Sequence, residues 1–190
     1  MARAKGFSLW LMPSGDLYEA LAHIILRLSR VYQTPAFEPH VTLLGELTEP
    51  EAEVLSKTQH LASLIRPCEI RLNRADYLSD YFRCLFLRVE ETKPVMEANL
   101  KARKVFNRYR DPKYMPHLSL MYGSLGPGVK ETIVPRVGDY FGKRFEVRSV
   151  HLFLTEDEPR DWYRVREFPL ETAEKPDAKL YAGENERSEG

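Results

Sequence analysis

Short apolar runs alternate along the chain with longer stretches in which apolar residues recur every three or four positions. Residues 6–12 form a mostly apolar run that ends before Pro13 and Gly15, so they predict a β-strand followed by a turn. Across residues 17–32 the apolar positions are spaced as on one face of an amphipathic helix, and Pro35 ends that pattern. The start of the chain therefore predicts a strand followed by a helix.

The same alternation continues and predicts a regular order of elements. The predicted strands are 6–12, 40–45, 68–78, 82–89, 117–122, 145–155 and 162–170, and the predicted helices are 17–32, 49–66, 93–110 and 129–141. The first five elements recur in the same order after residue 81, which indicates an internal duplication with repeats at about 6–78 and 82–155. A repeat of this length predicts two similar α+β lobes within one domain, residues 1–170.

A short motif stands at matching positions in the two repeats. The sequence PHVTLLG at residues 39–45 returns as PHLSLMYG at residues 116–123, and His117 follows His40 by 77 residues. Because side chains alternate along a strand, His40 and Thr42 lie on one face and the apolar residues between them on the other. The same holds for His117 and Ser119. Each motif therefore predicts an imidazole and a hydroxyl that face a cleft together, with an apolar face on the core.

Composition narrows the class of protein without assigning a function. The 28 Lys and Arg residues balance the 28 Asp and Glu residues, so long-range attraction to a polyanion is not expected. The two cysteines, Cys68 and Cys84, are too few for a disulfide framework, and no apolar run approaches the roughly 20 residues that a spanning helix needs. We expect a cytoplasmic protein with one compact domain. After residue 170 the composition turns polar and predicts a disordered tail over residues 171–190.

Two imidazoles that meet across a cleft suit general acid and base catalysis, because histidine titrates near neutral pH. A single histidine of this kind is most often structural, whereas a pair at matching positions favours function. One imidazole can activate water while the other protonates a leaving alkoxide, and nearby hydroxyls can hold phosphate oxygens. No acidic residue stands inside either motif, so we predict a metal-independent site without a cofactor. Structural or surface positions are expected for the remaining histidines, His23, His60 and His151.

Aromatic and basic residues near the motifs allow more than one interpretation. Trp10 and Tyr122 could stack on a nucleobase, or they could be ordinary core or rim aromatics. The loop at residues 79–81 carries aromatic residues that either line a site or cap the sheet. The basic runs at residues 101–104 and 108–110 fall on the polar face of a predicted helix, so we assign them to solvated surface.

The two motifs, read as His40-Val41-Thr42-Leu43 and His117-Leu118-Ser119-Leu120, resemble the paired H-x-[ST]-x motifs of the two-histidine (2H) phosphoesterase superfamily. Within that superfamily the chain is most similar to the cyclic nucleotide phosphodiesterases of plants and fungi. The run FSLW at residues 7–10, the Pro-His pairs and the Tyr-Gly pair at residues 122–123 carry that likeness. It covers about residues 6 to 170.

The resemblance implies an α+β fold of two pseudo-symmetric lobes, each an antiparallel sheet flanked by helices, with the active site in the cleft between them. It implies a phosphoric diester hydrolase for cyclic phosphates on ribose. The substrate would be a 2′,3′-cyclic nucleotide, opened to a 2′-phosphate, or ADP-ribose 1″,2″-cyclic phosphate, a by-product of tRNA splicing, opened to ADP-ribose 1″-phosphate. Carried over by motif, the acid–base pair is His40 and His117. The residues at the phosphate or beside the substrate are Thr42, Ser119, Tyr122 and Trp10.

The near symmetry of the motifs leaves open which histidine takes the proton from water, and two other functions stay open as well. One is an RNA 2′–5′ ligase or RNA-end processing enzyme of the same superfamily, against which the balanced charge argues because such an enzyme favours a broad basic surface. The other is a nucleotide-binding module without activity, against which the intact motifs argue. We expect a small cyclic phosphate as the partner, no membrane, no long nucleic acid, and a monomer.

Overall fold

The computed structural model describes residues 4–137, 140 and 142–171. Its helices within those ranges are α1 (Gly15–Tyr32), α2 (Glu51–Leu64), α3 (Lys93–Val105) and α4 (Pro127–Ile133). Its strands are β1 (Phe7–Leu11), β2 (Val41–Leu47), β3 (Cys68–Asp76), β4 (Leu85–Val89), β5 (His117–Met121), β6 (Arg144–Val147), β7 (Ser149–Leu154) and β8 (Tyr163–Pro169). Single turns of 3-10 helix stand at Tyr81–Arg83, Val134–Arg136 and Pro159–Asp161. None of the described helices is both long enough and apolar enough to cross a membrane.

The strands form one antiparallel sheet in the order β6-β3-β4-β5-β2-β1-β7-β8. Its two halves, β8-β7-β1-β2 and β5-β4-β3-β6, meet where β2 pairs with β5, and the register there sets Val41 opposite Leu118. These two residues directly follow the motif histidines. The sheet therefore brings His40 and His117 to the seam between its halves, and the predicted α+β fold of two lobes is confirmed.

The last strand of each predicted repeat crosses to the other half of the sheet. Strand β3 leaves the first repeat and pairs with β4, whereas β7 leaves the second repeat and pairs with β1. Each half is therefore built from strands of both repeats, which ties the two halves together. The duplication itself, and the boundaries given to it, stay predictions.

Each motif strand is backed by the helix that precedes the other motif. Helix α1 packs on β5 and helix α3 packs on β2. In the second contact Asn99 Nδ2 donates a hydrogen bond of 2.7 Å to the Leu43 carbonyl, so a buried amide fixes the middle of the first motif strand. The apolar stripe of α1 meets the core at the positions its periodicity predicts, with buried side chains at Leu21, Ile25 and Leu28.

The predicted helix 93–110 and strand 82–89 have different bounds in the structure. Helix α3 ends at Val105. Leu100 and Tyr109, which the spacing of apolar residues in 93–110 predicts on the buried face of that helix, are 65% and 68% exposed. Strand β4 begins only at Leu85 because the residues before it form a 3-10 turn. The Asp80 carboxylate accepts the amide hydrogens of Phe82 and Arg83, so these amides bond to a local side chain instead of a neighbouring strand.

Further differences lie at the end of β2 and in the second repeat. Strand β2 continues through Gly45 to Leu47. The strand predicted at 145–155 is two strands, because β6 pairs with β3 while β7 pairs with β1 and β8. The helix predicted at 129–141 is α4 followed by a 3-10 turn that contains Pro135. Residues 138, 139 and 141 of that prediction, and residues 172–190 of the predicted tail, lie outside the described residues.

Candidate active site

Each motif histidine is held by the carbonyl two residues before it. His40 Nδ1 lies 2.6 Å from the Glu38 carbonyl oxygen, and His117 Nδ1 lies 2.8 Å from that of Met115. In both motifs the intervening proline keeps the residue before it extended and has no N–H of its own. Because a carbonyl oxygen only accepts, each Nδ1 carries a proton, and each neutral ring keeps its lone pair on Nε2.

The two histidines open on one cavity of about 410 Å³ at the seam between the halves of the sheet. Of the residues that the sequence singled out, the cavity wall contains His40, Thr42, Trp10, His117 and Tyr122. The pairing of β1 with β2 sets Trp10 opposite Thr42, which places both side chains on the face that carries the cavity. The fold therefore brings together groups from both predicted repeats.

Ser119 is placed differently from Thr42, although the two stand at equivalent motif positions. Ser119 is 5% exposed and lies outside the described wall of the cavity. Its hydroxyl donates a hydrogen bond of 2.9 Å to the Phe82 carbonyl. That bond ties β5 to the 3-10 turn at Tyr81–Arg83, and the Gly123 amide adds a second tie by donating to the Tyr81 carbonyl over 2.9 Å. The second motif strand therefore anchors a turn that borders the cavity.

His40 is enclosed by aromatic rings. Its imidazole stacks on Trp10 with ring centres 3.5 Å apart and planes within 5°, and Phe153 stacks on the other side of Trp10 at 3.7 Å. The Tyr122 hydroxyl lies 3.5 Å from His40 Nε2. Both faces of the indole are thus covered, and Trp10 contributes to the cavity by packing on His40. Burial lowers the pKa of His40 to about 3, although the hydrogen bond to the Glu38 carbonyl favours the charged ring.

His117 is less enclosed and lies among charged groups. Burial lowers its pKa, the hydrogen bond to the Met115 carbonyl opposes this, and Arg83 and Arg88 lower the pKa while Asp80 raises it. Both imidazoles are therefore neutral in the free protein near neutral pH. Their surroundings nevertheless differ. His40 lies against the aromatic rings of Trp10 and Tyr122, whereas His117 lies near the charged side chains of Arg83, Arg88 and Asp80.

The buried neutral state of His40 predicts a loss of stability in acid. An unfolded histidine takes up a proton near pH 6.5, whereas folded His40 does so only near its pKa of about 3. The unfolded state therefore binds more protons between these pH values. The contribution of neutral His40 to the free energy of unfolding is thus complete above about pH 6.5 and is lost as the pH falls towards 3. We expect the free energy of unfolding, measured in urea, to fall between pH 7 and pH 4.5 in both proteins. The fall should be larger in the parent than in His40→Gln, by on the order of 2–3 kcal/mol.

The same two proteins provide the control for this prediction. All carboxylates, and the pKa shift of His117, are common to both, so their effects cancel in the comparison. Equal losses of unfolding free energy in the parent and in His40→Gln would show that His40 is not buried in its neutral form.

Sequence reasoning did not place Phe82, Arg83 and Trp162 in the cavity wall, where the structure finds them. The first two were assigned to the predicted strand 82–89 and Trp162 to the predicted strand 162–170, yet β8 begins only at Tyr163. All three belong to turns between strands. For Phe82 the available signal was the adjacent loop at residues 79–81, since lining a site was one of the two interpretations of its aromatic residues. Arg83 and Trp162 carried no such signal.

Two basic residues assigned to solvated surface also line the cavity, namely Arg103 and Arg108. Helix α3 ends before the second of them, so the chain turns back towards the motif strands.

In the part of the chain that the structure describes, no three His, Cys, Asp or Glu side chains are grouped so as to hold a metal ion. Besides imidazole and guanidinium groups, the cavity wall carries hydroxyl, carboxylate, amide and ammonium groups, for example at Thr42, Asp80, Asn99 and Lys113.

The family of the chain follows from comparison with known proteins. The family model of cyclic phosphodiesterase-like proteins matches residues 5–168. A cyclic phosphodiesterase from Arabidopsis thaliana is 29% identical over 121 residues, which are 63% of this chain and 66% of that protein. The chain thus aligns with slightly less than two thirds of that relative's length.

Solved structures share the fold at low sequence identity. TT0787 of Thermus thermophilus superimposes with a TM-score of 0.66 at 19% identity, covering 87% of this chain and 97% of that one. Apo LigT from E. coli gives a TM-score of 0.62 at 14% identity, covering 90% and 100%, and LigT has also been crystallised with 3′-AMP. The resemblance to 2H phosphoesterases that the paired motifs predict is confirmed, and the chain belongs to the cyclic phosphodiesterase-like family.

Proposed function

We propose that the protein is a phosphodiesterase that opens small cyclic phosphates on ribose by one-step hydrolysis, with His40 and His117 as the acid–base pair. The observation that carries the proposal is the convergence of both imidazoles on one cavity, each fixed through Nδ1 so that Nε2 is left for proton transfer. Membership of the cyclic phosphodiesterase-like family supports the same reaction.

The reaction needs two proton transfers at one phosphorus atom. A water oxygen attacks phosphorus while the Nε2 of one imidazole takes the water proton. The bond from phosphorus to one ribose oxygen breaks, and the other imidazole, in its charged form, gives its Nε2 proton to that oxygen. A bound phosphate anion favours this charged form, because an opposite charge nearby raises the pKa of a histidine that burial has lowered.

The hydroxyl groups are proposed to hold the non-bridging oxygens of the phosphate. Thr42 borders the cavity, and the Tyr122 hydroxyl already lies beside His40 Nε2. Ser119 would bind phosphate only after its hydroxyl turns away from the Phe82 carbonyl. The two motif hydroxyls are therefore proposed to differ in strength, with Thr42 the readier phosphate ligand.

The substrate is proposed to be a 2′,3′-cyclic nucleotide or ADP-ribose 1″,2″-cyclic phosphate, which would link the protein to tRNA splicing by-products in the cytoplasm. A cavity of about 410 Å³ falls in the size range of small-ligand sites. Phe82 and Trp162 offer aromatic surface for a nucleobase. The 3′-AMP bound to LigT is a ligand of the same chemical kind.

Comparing three substrates tests this proposal. We expect the protein to hydrolyse 2′,3′-cyclic AMP and ADP-ribose 1″,2″-cyclic phosphate with kcat/KM at least about tenfold higher than for an RNA oligonucleotide ending in a 2′,3′-cyclic phosphate, because the chain has no net positive charge to attract RNA. Faster turnover of the RNA, or joining of RNA ends, would point to the RNA-processing alternative. Binding of all three without turnover would point to a binding module.

A further inference from the structure

The described wall of the cavity carries cationic side chains at Arg83, Arg103, Arg108 and Lys113. Most of them already have structural partners. Arg108 donates to the Gly45 and Glu46 carbonyls at the end of β2. Arg103, on α3, donates to the Asp111 and Pro112 carbonyls in the loop before β5. Lys113 is 81% exposed and pairs with Glu91 at 3.4 Å. These three cations therefore hold the loop or face solvent.

Arg83 differs from these three cations, because a single carboxylate holds its guanidinium and other N–H donors of the group stay available. In the described part of the chain its hydrogen-bond partner is the Asp80 carboxylate, at 2.7 Å from Nη2 to Oδ2. A guanidinium carries five N–H donors in a rigid fork, so most of its donors remain for a ligand. The side chain is 41% exposed where it borders the cavity.

The turn that carries Arg83 is fixed from both sides. The second oxygen of Asp80, Oδ1, accepts the backbone amides of Phe82 at 3.0 Å and Arg83 at 3.2 Å, so one carboxylate holds both the backbone and the side chain of residue 83. The Arg83 carbonyl accepts the Leu78 amide at 2.9 Å. Ser119 then ties the middle of the turn to β5. The guanidinium is therefore directed by a preformed turn instead of a flexible loop.

We propose that Arg83 is a phosphate-binding residue that donates to the non-bridging oxygens of the substrate on the His117 side of the cavity. The inference rests on the proposed function, since it concerns the phosphate of that same reaction. Phosphoryl transfer concentrates charge on these oxygens, and a guanidinium fork matches them better than any other side chain. Because Asp80 neutralises the net charge of the pair, Arg83 acts mainly as a directed donor at short range.

Arg88 supplies a matched control, because it shares the electrostatic effect of Arg83 without its position. Both arginines lower the pKa of His117. Arg88 stands opposite His117 in the pairing of β4 with β5, is 39% exposed and pairs with Asp76 at 2.6 Å. It is not part of the described cavity wall. A variant of Arg88 therefore removes a nearby charge, together with its ion pair to Asp76, but removes no donor from the described cavity wall.

The test compares Arg83→Gln, Arg83→Lys and Arg88→Gln in the full chain, with inorganic phosphate as a calorimetric ligand and 2′,3′-cyclic AMP as the substrate. We expect Arg83→Gln to bind phosphate at least about tenfold more weakly and to lose about 10²-fold in kcat/KM, as when one donor to a developing anion is removed. Arg83→Lys should recover part of both losses, because it keeps the charge but not the fork. Arg88→Gln should stay within about threefold of the parent in both, since it removes no donor from the cavity.

Two results would overturn the proposal. One is phosphate binding by Arg83→Gln equal to that of the parent. The other is equal losses in Arg83→Gln and Arg88→Gln, which would reduce Arg83 to a modifier of the His117 charge. If Arg83→Gln fails to fold, the comparison of Arg83→Lys with Arg88→Gln decides, and unaltered phosphate binding by Arg83→Lys contradicts a role for the fork. Failure of the proposed function is seen separately, as a parent protein that binds phosphate but does not hydrolyse 2′,3′-cyclic AMP.

Discussion

The His117→Ala protein is expected to hydrolyse a 2′,3′-cyclic nucleotide about 10²–10⁴-fold more slowly than the parent, because the reaction loses one of its two proton-transfer groups. The His40→Ala protein is expected to lose activity to a similar extent. The Nδ1 of each ring is tied to a backbone carbonyl, so Nε2 is the nitrogen left for proton transfer, and it is lost with the ring. Steady-state turnover followed by chromatography of the nucleotide product measures both losses.

His60→Ala is the matched control for these two variants. His60 is exposed on α2 and lies outside the cavity wall as described, so its removal should leave turnover unchanged. Far-ultraviolet circular dichroism of each variant separates a lost catalytic group from a lost fold. Unimpaired turnover by His117→Ala or by His40→Ala would contradict the acid–base assignment.

The Trp10→Ala protein is expected to be less stable than the parent by about 3–5 kcal/mol, the usual cost of deleting a large buried aromatic side chain. Trp10 is 2% exposed and lies between His40 and Phe153, and its Nε1 donates to the Ser8 hydroxyl at 2.9 Å. Its removal also takes away the surface against which the His40 ring is stacked. We therefore expect turnover to fall even at temperatures where the variant remains folded.

Two further variants serve as controls for the urea unfolding and turnover of Trp10→Ala. Trp10→Phe keeps an aromatic ring next to His40 and loses the donor to Ser8, so it should lose less stability and less activity. Tyr109→Ala removes an aromatic ring that is 68% exposed and should change stability by no more than about 0.5 kcal/mol. A Trp10→Ala protein with the stability and turnover of the parent would contradict the role given to this stack.

Sequence periodicity was sufficient for the features that depend on neighbouring residues. The amphipathic stripe of α1 predicted the buried positions Leu21, Ile25 and Leu28, and the paired Pro-His motifs predicted two histidines at one cleft. The proline in each motif also fixes the carbonyl that holds the imidazole, which is a local effect. These features follow from spacing alone.

Other features depend on partners that are distant in the chain, and the sequence could not reveal them. Ser119 and Thr42 have the same motif position, but the Ser119 hydroxyl bonds to Phe82, 37 residues away, and this partner has no equivalent in the motif. Arg83 was missed for a different, local reason: the cap from Asp80, three residues earlier, holds it in a turn, and apolar periodicity does not register such a cap. The exchange of β3 and β7 between the halves of the sheet likewise follows from pairing across the whole chain.

Phosphorus NMR of the reaction tests the central claim most directly. The parent protein, treated with EDTA, is mixed with 2′,3′-cyclic AMP, and the phosphorus spectrum is followed with time. Two imidazoles acting at one phosphorus without a metal predict that the cyclic diester signal is replaced by that of adenosine 2′-phosphate, at a rate that EDTA does not change. A cyclic signal that persists, or turnover that appears only when a divalent metal is restored, would contradict the account.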